Sequence, residues 1–141
     1  MNLEECLEAR FIRKDETAKK RVKFSLEIAE RFLRSSLKNF EMEEYEMAEI
    51  AAYNSIFHSG RALIFAKGYT ERSHLCLFVA IKTLYGDSKT IFDMVATIDK
   101  IRLSRHDIQY GGARVDREEV NFVIKMAEEF LGEVKKRLLL L

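Results

Sequence analysis

The sequence predicts an all-α fold: an up-and-down four-helix bundle with one additional short helix, five helices in all. Apolar residues recur at three- and four-residue spacing through four segments, a fifth segment is apolar on every side, and no segment alternates with a period of two between turn residues. Proline is absent, and six glycines punctuate the chain. At 141 residues and 48% hydrophobic composition, one domain spanning residues 1–141 can enclose a core of its own.

The first long helix is predicted over about residues 17–39, because an apolar stripe on one face begins at Val22 and ends at Phe40. The second is predicted over about residues 43–67, where small side chains recur at alternating four- and three-residue steps. These residues are Ala48, Ala52, Ser55, Ser59, Ala62 and Ala66. Small side chains let a neighbouring helix approach closely.

The third helix is predicted around a run that is apolar on every side, from Leu75 to Ile81. Periodicity alone cannot separate a buried helix from a buried strand in such a run. Thr70 can cap its start, Gly86 can end it, and the span between them fits about four helical turns, which favours a helix. A fourth helix is predicted from near Ser88 through Arg105.

The last helix is predicted to begin at Asp116, whose carboxylate can cap the start while Glu119 three residues on completes a capping box. A wide apolar face then extends from Val120 to Leu138. Four glycines follow apolar-periodic segments and are predicted helix ends: Gly68, Gly86, Gly111 and Gly112. Two lie inside such segments and are expected at close-packed or tolerated positions: Gly60 and Gly132.

Composition excludes several classes of function. Lys and Arg total 24 against 23 Asp and Glu, so the net charge of +1 requires neither a polyanion nor a membrane as partner. No window is long enough to span a bilayer, and residues 1–13 contain no continuous apolar signal region. A soluble cytoplasmic protein is therefore expected.

Cysteine and histidine usage predicts neither a metal site nor a cofactor. Cys6 and Cys76 are too few for a disulfide scaffold, lack the spacing of a zinc site and fit a reducing compartment. Cys76 lies in an apolar run and suits a small buried hydrophobe. His58 and His74 have no second ligand at a repeated metal-binding spacing.

The most informative stretch runs from Arg105 to Gly112, where an apolar helical stripe becomes cationic. The stripe consists of Ile91, Met94, Val95, Ile98 and Ile101. Continuing the same face leads to Arg102 and Arg105. Because burying an unpaired guanidinium is costly, Arg105 should either meet an acid or open onto a cleft where an anion can bind.

The order of helices, the segment from Gly68 to His74 and the Arg105-to-Tyr110 end of the fourth helix resemble the HEPN family. The resemblance is to its small stand-alone prokaryotic members, and it covers about Thr17 to Leu138. It implies a helical bundle that forms a homodimer with the motif-bearing helices facing a shared cleft. Many members are RNases that need no metal, and several pair with a minimal nucleotidyltransferase in toxin–antitoxin couples.

The family's catalytic pattern is an arginine, usually followed by a polar residue, and then a histidine after four to six intervening residues. Arg105 matches the arginine and His106 the polar follower, but Tyr110 stands at the first position where the histidine is expected. Starting instead from Arg102 leaves only three residues before His106. Since an ordinary phenol, with a pKa of about 10, is a poor base near neutral pH, the RNase motif is degenerate.

Three interpretations follow. In the leading one, implied by the resemblance, the chain is a dimeric nucleotide-, RNA- or partner-binding protein paired with a nucleotidyltransferase. Its binding or modification residues are Arg102, Arg105, Asp107 and Tyr110. Tyr110 is the candidate acceptor of adenylate, because the nucleotidyltransferase modifies a motif tyrosine in some such pairs.

The second interpretation is an active metal-independent RNase that uses Arg105 and His106 as catalytic residues. Adjacent residues on a helix point about 100° apart, so these two converge only if the helix ends there or a second subunit supplies one of them. The third is a purely structural helical dimer in which Arg105 pairs with Asp107 or with an acid on another helix.

Overall fold

The computed structural model describes residues 1–139; Leu140 and Leu141 lie outside the described part. Within those residues the helices are α1 (Leu3–Glu8), α2 (Val22–Glu41), α3 (Tyr45–Ala66), α4 (His74–Leu84), α5 (Lys89–Gly111) and α6 (Arg117–Leu139). A 3₁₀ helix (Glu16–Arg21) and two short strands, β1 (Ile12–Lys14) and β2 (Tyr69–Glu71), complete the regular structure. The predicted all-α bundle is confirmed, and its five helices correspond to α2 through α6.

Helix α3 lies at the centre of the bundle and contacts α2, α4, α5 and α6. Its small residues allow α2 to come close enough for side-chain hydroxyls to bond across the interface. Ser55 Oγ donates to the carbonyl of Ala29 at 2.8 Å, and Ser36 Oγ donates to the carbonyl of Ala48 at 2.6 Å. All four of these residues are buried, so the close approach predicted from the spacing of small residues is confirmed.

The helix boundaries differ from prediction mainly at the start of α4. Thr70 lies in β2, and the helix begins at His74 because Ser73 Oγ accepts a hydrogen bond from the Cys76 amide at 3.2 Å. At the start of α6 the predicted cap is present, since Asp116 Oδ1 accepts from the Glu119 amide at 2.9 Å.

The N-terminal region was not predicted. Strand β1 pairs antiparallel with β2, with Ile12 opposite Glu71, so a small sheet exists although the sequence predicted none. Helix α1 begins with a capping box between Asn2 and Glu5. The two residues have capping-box spacing in the sequence, but no helix was predicted there. Three-residue strands are too short to show alternation, which is why neither was detected.

The two cysteines also differ from expectation. Cys76 is buried as predicted, but it is bonded to Cys6 in a disulfide, so its interpretation as an unpaired hydrophobe is wrong. Cys6 and Cys76 are brought together by the pairing of β1 with β2 and by the packing of α1 on α4. No local pattern encodes that contact.

Candidate functional site

The end of α5 is positioned by its own apolar stripe. The stripe residues Ile91, Val95, Ile98 and Ile101 are buried, so the face that follows them turns Arg105 toward α3. Arg102, on the same face, donates from Nε to Asp99 Oδ1 at 3.0 Å. The helix ends at Gly112, which adopts a left-handed conformation with φ of 71° and donates its amide hydrogen to the carbonyl of Asp107.

Among the described residues, Arg105 contacts an aromatic ring and no acid. Its guanidinium carbon lies 4.6 Å from the centre of the Tyr53 ring, and Nη1 donates to Gln109 Oε1 at 3.0 Å. Its Nε is buried and, within residues 1–139, has neither a hydrogen-bond partner nor an ion pair. The sequence predicted that Arg105 either pairs with an acid or faces a cleft where an anion can bind. The described residues provide no acid for it.

Beneath Arg105, Tyr53 and His74 form a hydrogen-bonded pair. The Tyr53 hydroxyl lies 2.6 Å from Nδ1 of His74. Burial raises the pKa of Tyr53 to about 12, so the phenol stays protonated at neutral pH. Burial and the charges of Arg105 and Arg102 lower the pKa of His74 to about 4, so its imidazole is neutral. The phenol must then donate to Nδ1, which assigns the remaining hydrogen of His74 to Nε2.

A third arginine supports the same pair from the other side. His74 stacks on Phe57 with ring centres 4.1 Å apart, and the Arg61 guanidinium carbon lies 5.7 Å from the centre of the Phe57 ring. Arg61 is held by Glu71, whose Oε1 accepts from Nε at 2.6 Å. Arg61 therefore carries its own counter-charge, whereas Arg105 does not among the described residues.

We call Tyr53, His74, Arg102 and Arg105 the Arg105 cluster. It combines a neutral imidazole with two guanidinium groups, of which only Arg102 is ion-paired within the described residues. Arginine binds phosphate oxygens in a bidentate geometry, and its delocalised charge also stacks on rings. The arrangement can hold an anion, and it can present a neutral imidazole beside that anion.

His106 and Tyr110 lie on a different side of α5. Their ring centres are 4.9 Å apart, His106 is exposed, and 67% of Tyr110 is accessible. Within the described residues neither side chain has a recorded hydrogen bond or ring contact with Arg105. Adjacent helical residues point apart, as expected, and Asp107 is also exposed. One copy of the chain thus brings Arg102 and Arg105 together and keeps His106 and Tyr110 away from them.

Two members of the cluster were not predicted from the sequence. His74 was weighed as a metal ligand, and it also ends the Gly68-to-His74 segment that carries the resemblance. Tyr53 is a large hydroxylated side chain that follows Ala52 among the small residues of α3. Pairing the two required the relative placement of α3 and α4.

A buried acid, Glu49, lies where α3 meets α5. Glu49 is fully buried; its Oε2 accepts from Ser104 Oγ at 2.8 Å, and its Oε1 has no hydrogen-bond partner among the described residues. Burial raises the pKa of Glu49 to about 7, and the charge of Glu119 acts in the same direction. The ionisation of Glu49 should therefore make the free energy of unfolding depend on pH.

Two further searches cover residues 1–139. No helix there is both long and apolar enough to cross a bilayer. The same residues contain no grouping of three acidic, histidine or cysteine side chains that could hold a metal ion.

Comparison with known proteins identifies a family. The family model described as "HEPN domain" matches residues 22–137, which include the whole Arg105 cluster. A Methanocaldococcus jannaschii protein named "Putative toxin MJ0605" is 30% identical over 116 residues, covering 80% of this chain and 85% of that protein.

Proposed function

Because this chain belongs to the HEPN family, we propose that it is the HEPN component of a toxin–antitoxin-type pair with a minimal nucleotidyltransferase. Two copies form a homodimer whose Arg105 clusters face a shared cleft, and the cleft binds a nucleotide or RNA. The name of the archaeal relative supports the toxin assignment. Static light scattering at micromolar concentration should give the mass of a dimer, and a monomer would remove the shared cleft.

The observation that carries this proposal is the absence of an acid beside Arg105 among the described residues. A partly buried guanidinium that meets only a ring and an amide oxygen keeps most of its charge uncompensated. A phosphate group at this position would offset that cost and could also accept from the unpartnered Nε. Arg102 on the same face adds a second positive charge.

Tyr110 is the proposed site of modification. Its exposure of 67% lets a second protein reach the hydroxyl without unfolding α5. In the proposed step the Tyr110 oxygen attacks the α-phosphorus of ATP, a tyrosyl–adenylate bond forms, pyrophosphate leaves, and the phenolic proton passes to solvent or to a base of the nucleotidyltransferase.

The test is co-purification with the product of the adjacent gene, followed by intact mass measurement with ATP. The expected result is a mass increase by adenylate units that maps to Tyr110. Tyr110→Phe should lose the increase, whereas Tyr45→Phe, at a partly buried tyrosine that begins α3, should keep it. A stable complex with no mass change, or a change that maps elsewhere, would contradict the assignment of Tyr110.

A second candidate function is a metal-independent RNase, and one observation favours it. The motif histidine missing after Arg105 has a counterpart in His74, whose neutral imidazole contacts the ring of Tyr53 directly beneath Arg105. The pKa of about 4 makes His74 a weak base, so cleavage is expected to be slow.

An assay of RNA degradation in EDTA separates the candidate bases. If His74 is the base, His74→Ala and Arg105→Ala abolish cleavage while His106→Ala retains it. If His106→Ala abolishes cleavage and His74→Ala retains it, Arg105 and His106 are favoured as the catalytic residues, with the second copy of the chain supplying one of them. Absence of cleavage by the wild-type chain excludes both versions.

A further inference from the structure

Residues 1–21 precede the segment that matches the family, and they are fastened to the beginning of α4. Helix α1 and strand β1 both contact α4. A disulfide joins Cys6 of α1 to Cys76 of α4, across 70 positions of sequence, with Cα atoms 5.8 Å apart. Both cysteines are fully buried. The N-terminal segment is thus covalently tied to a residue only two positions after His74.

Backbone hydrogen bonds extend this attachment toward the Arg105 cluster. The Phe11 amide donates to the carbonyl of Cys6 at 2.9 Å, and the Arg72 amide donates to the carbonyl of Phe11 at 2.8 Å. Glu71, which precedes Arg72 and pairs with β1, holds Arg61. The N-terminal segment therefore braces the short stretch of chain that leads into His74.

The disulfide also acts on the first turn of α4 directly. Cys76 donates its amide hydrogen to Ser73 Oγ, which is the bond that caps the helix immediately before His74. A covalent bond at Cys76 thus restrains the turn that carries His74. The ring of His74 can hold its hydrogen bond to Tyr53 only while that turn stays in place.

We propose that the Cys6–Cys76 disulfide is a thiol-controlled clamp on the Arg105 cluster: closed, it keeps His74 against Tyr53, and opened by reduction, it lets the first turn of α4 loosen. The clamp rests on the proposed function only in that it gives the cluster a role to be regulated. Without the disulfide, α1 and β1 are held by a three-residue ladder, the packing of a six-residue helix and the buried side chain of Ile12. Such a terminal unit opens more easily than the bundle unfolds.

The opening reaction is an ordinary thiol–disulfide exchange with an external dithiol as reductant. A thiolate of the dithiol attacks one cysteine sulfur, and the other cysteine leaves as a thiolate and takes up a proton. The second thiol of the reductant then displaces the first cysteine. The products are two cysteine thiols and the cyclic oxidised reductant, so two electrons pass from the dithiol to the protein.

Histidine-selective NMR titration of the full chain, with and without dithiothreitol, tests the clamp. The clamped protein should titrate His74 with a pKa of about 4, and reduction should move that pKa upward, toward the ordinary value of 6.5, as water reaches the ring. His58 is the comparison within the same chain: its pKa is also lowered to about 4, chiefly by burial and then by the charges of Arg61 and His74, so it should move less than the pKa of His74. Cys6→Ala should behave like the reduced protein, and dithiothreitol should change it no further.

Two results would overturn the clamp. One is alkylation of both cysteines in denaturant without any reductant, which would mean that no disulfide forms in the purified protein. The other is a His74 titration that is identical before and after confirmed reduction. Neither measurement uses RNA, ATP or a partner protein, so failure of the proposed function and failure of the clamp are distinguished.

Discussion

Glu49 is the residue whose protonation should be most visible in the stability of the fold. Its folded-state pKa of about 7 lies above the value of 4.5 for an unperturbed glutamate, so the folded state binds the proton more tightly. The carboxyl therefore does not oppose folding below about pH 4.5. As the pH rises from 4.5 to 7 the free energy of unfolding falls, and above 7 the full cost of a buried anion remains.

Replacing Glu49 with glutamine should remove that cost while keeping an acceptor for Ser104. Chemical denaturation should find Glu49→Gln equal to the wild type at pH 4.5 and more stable by about 3 kcal/mol at pH 8. Variant and wild type must be compared at each pH, because two histidines also make the free energy of unfolding depend on pH. The lowered pKa values of His58 and His74 make the folded protein less stable as the pH falls from 6.5 toward 4. An equal difference at both pH values would contradict a raised pKa.

At the residue scale, the sequence could indicate Arg105 but not its partners. The periodic stripe of α5 identified this arginine and Arg102 as cations on a core-facing side, because helical spacing is local. Tyr53 and His74 reach Arg105 from α3 and α4, so their roles depend on how the helices pack. In the sequence, the signal for a partner of Arg105 was Tyr53, a hydroxylated ring among the small residues of α3.

At the scale of elements, two helical glycines offer a matched pair. A Cβ on Gly60 would lie 3.0 Å from Ile81 Cδ1, because α4 packs closely there, whereas a Cβ on Gly132 would meet none of the described residues within 4 Å. Gly132→Ala should raise the free energy of unfolding by about 0.5–1 kcal/mol through helix propensity. Gly60→Leu should lower it by about 1–3 kcal/mol through overpacking.

Thermal and chemical denaturation of both glycine variants measures the two effects. Gly132→Leu serves as the size-matched control, because a Cβ at that position meets no other part of residues 1–139 within 4 Å and a side chain there should be tolerated. Equal destabilisation by leucine at the two positions would mean that α4 does not pack against α3 as closely as described.

The elements themselves show what local patterns can and cannot predict. Helices α2, α3, α5 and α6 follow from apolar periodicity, whereas α4 was predicted from the length of its apolar segment and from the residues at its ends. Asp116 caps α6, as its spacing to Glu119 indicated. The start of α4 was misplaced because Thr70 and Ser73 are both able to cap, and the pairing of β1 with β2 decides between them. That pairing is set by tertiary packing.

At the scale of the whole molecule, the disulfide ties the N-terminal segment into the core. Closing a loop of 70 residues restricts the unfolded chain and should contribute about 4 kcal/mol to stability. Denaturant titration with dithiothreitol should therefore show a lower unfolding free energy by about that amount, with Cys6→Ala insensitive to the reductant. A midpoint that does not move after complete reduction would contradict this contribution.

Whether the Arg105 cluster serves binding or folding is also a question about the whole molecule. The most direct measurement compares Arg105→Ala with the wild type in thermal melting and in binding of fluorescein-labelled oligouridylate, ATP and the co-expressed product of the adjacent gene. We expect the melting temperature to change little and at least one of these interactions to weaken by about tenfold or more, as loss of one charge-assisted phosphate contact implies. A sharp fall in melting temperature with every interaction unchanged would show that Arg105 only stabilises the bundle.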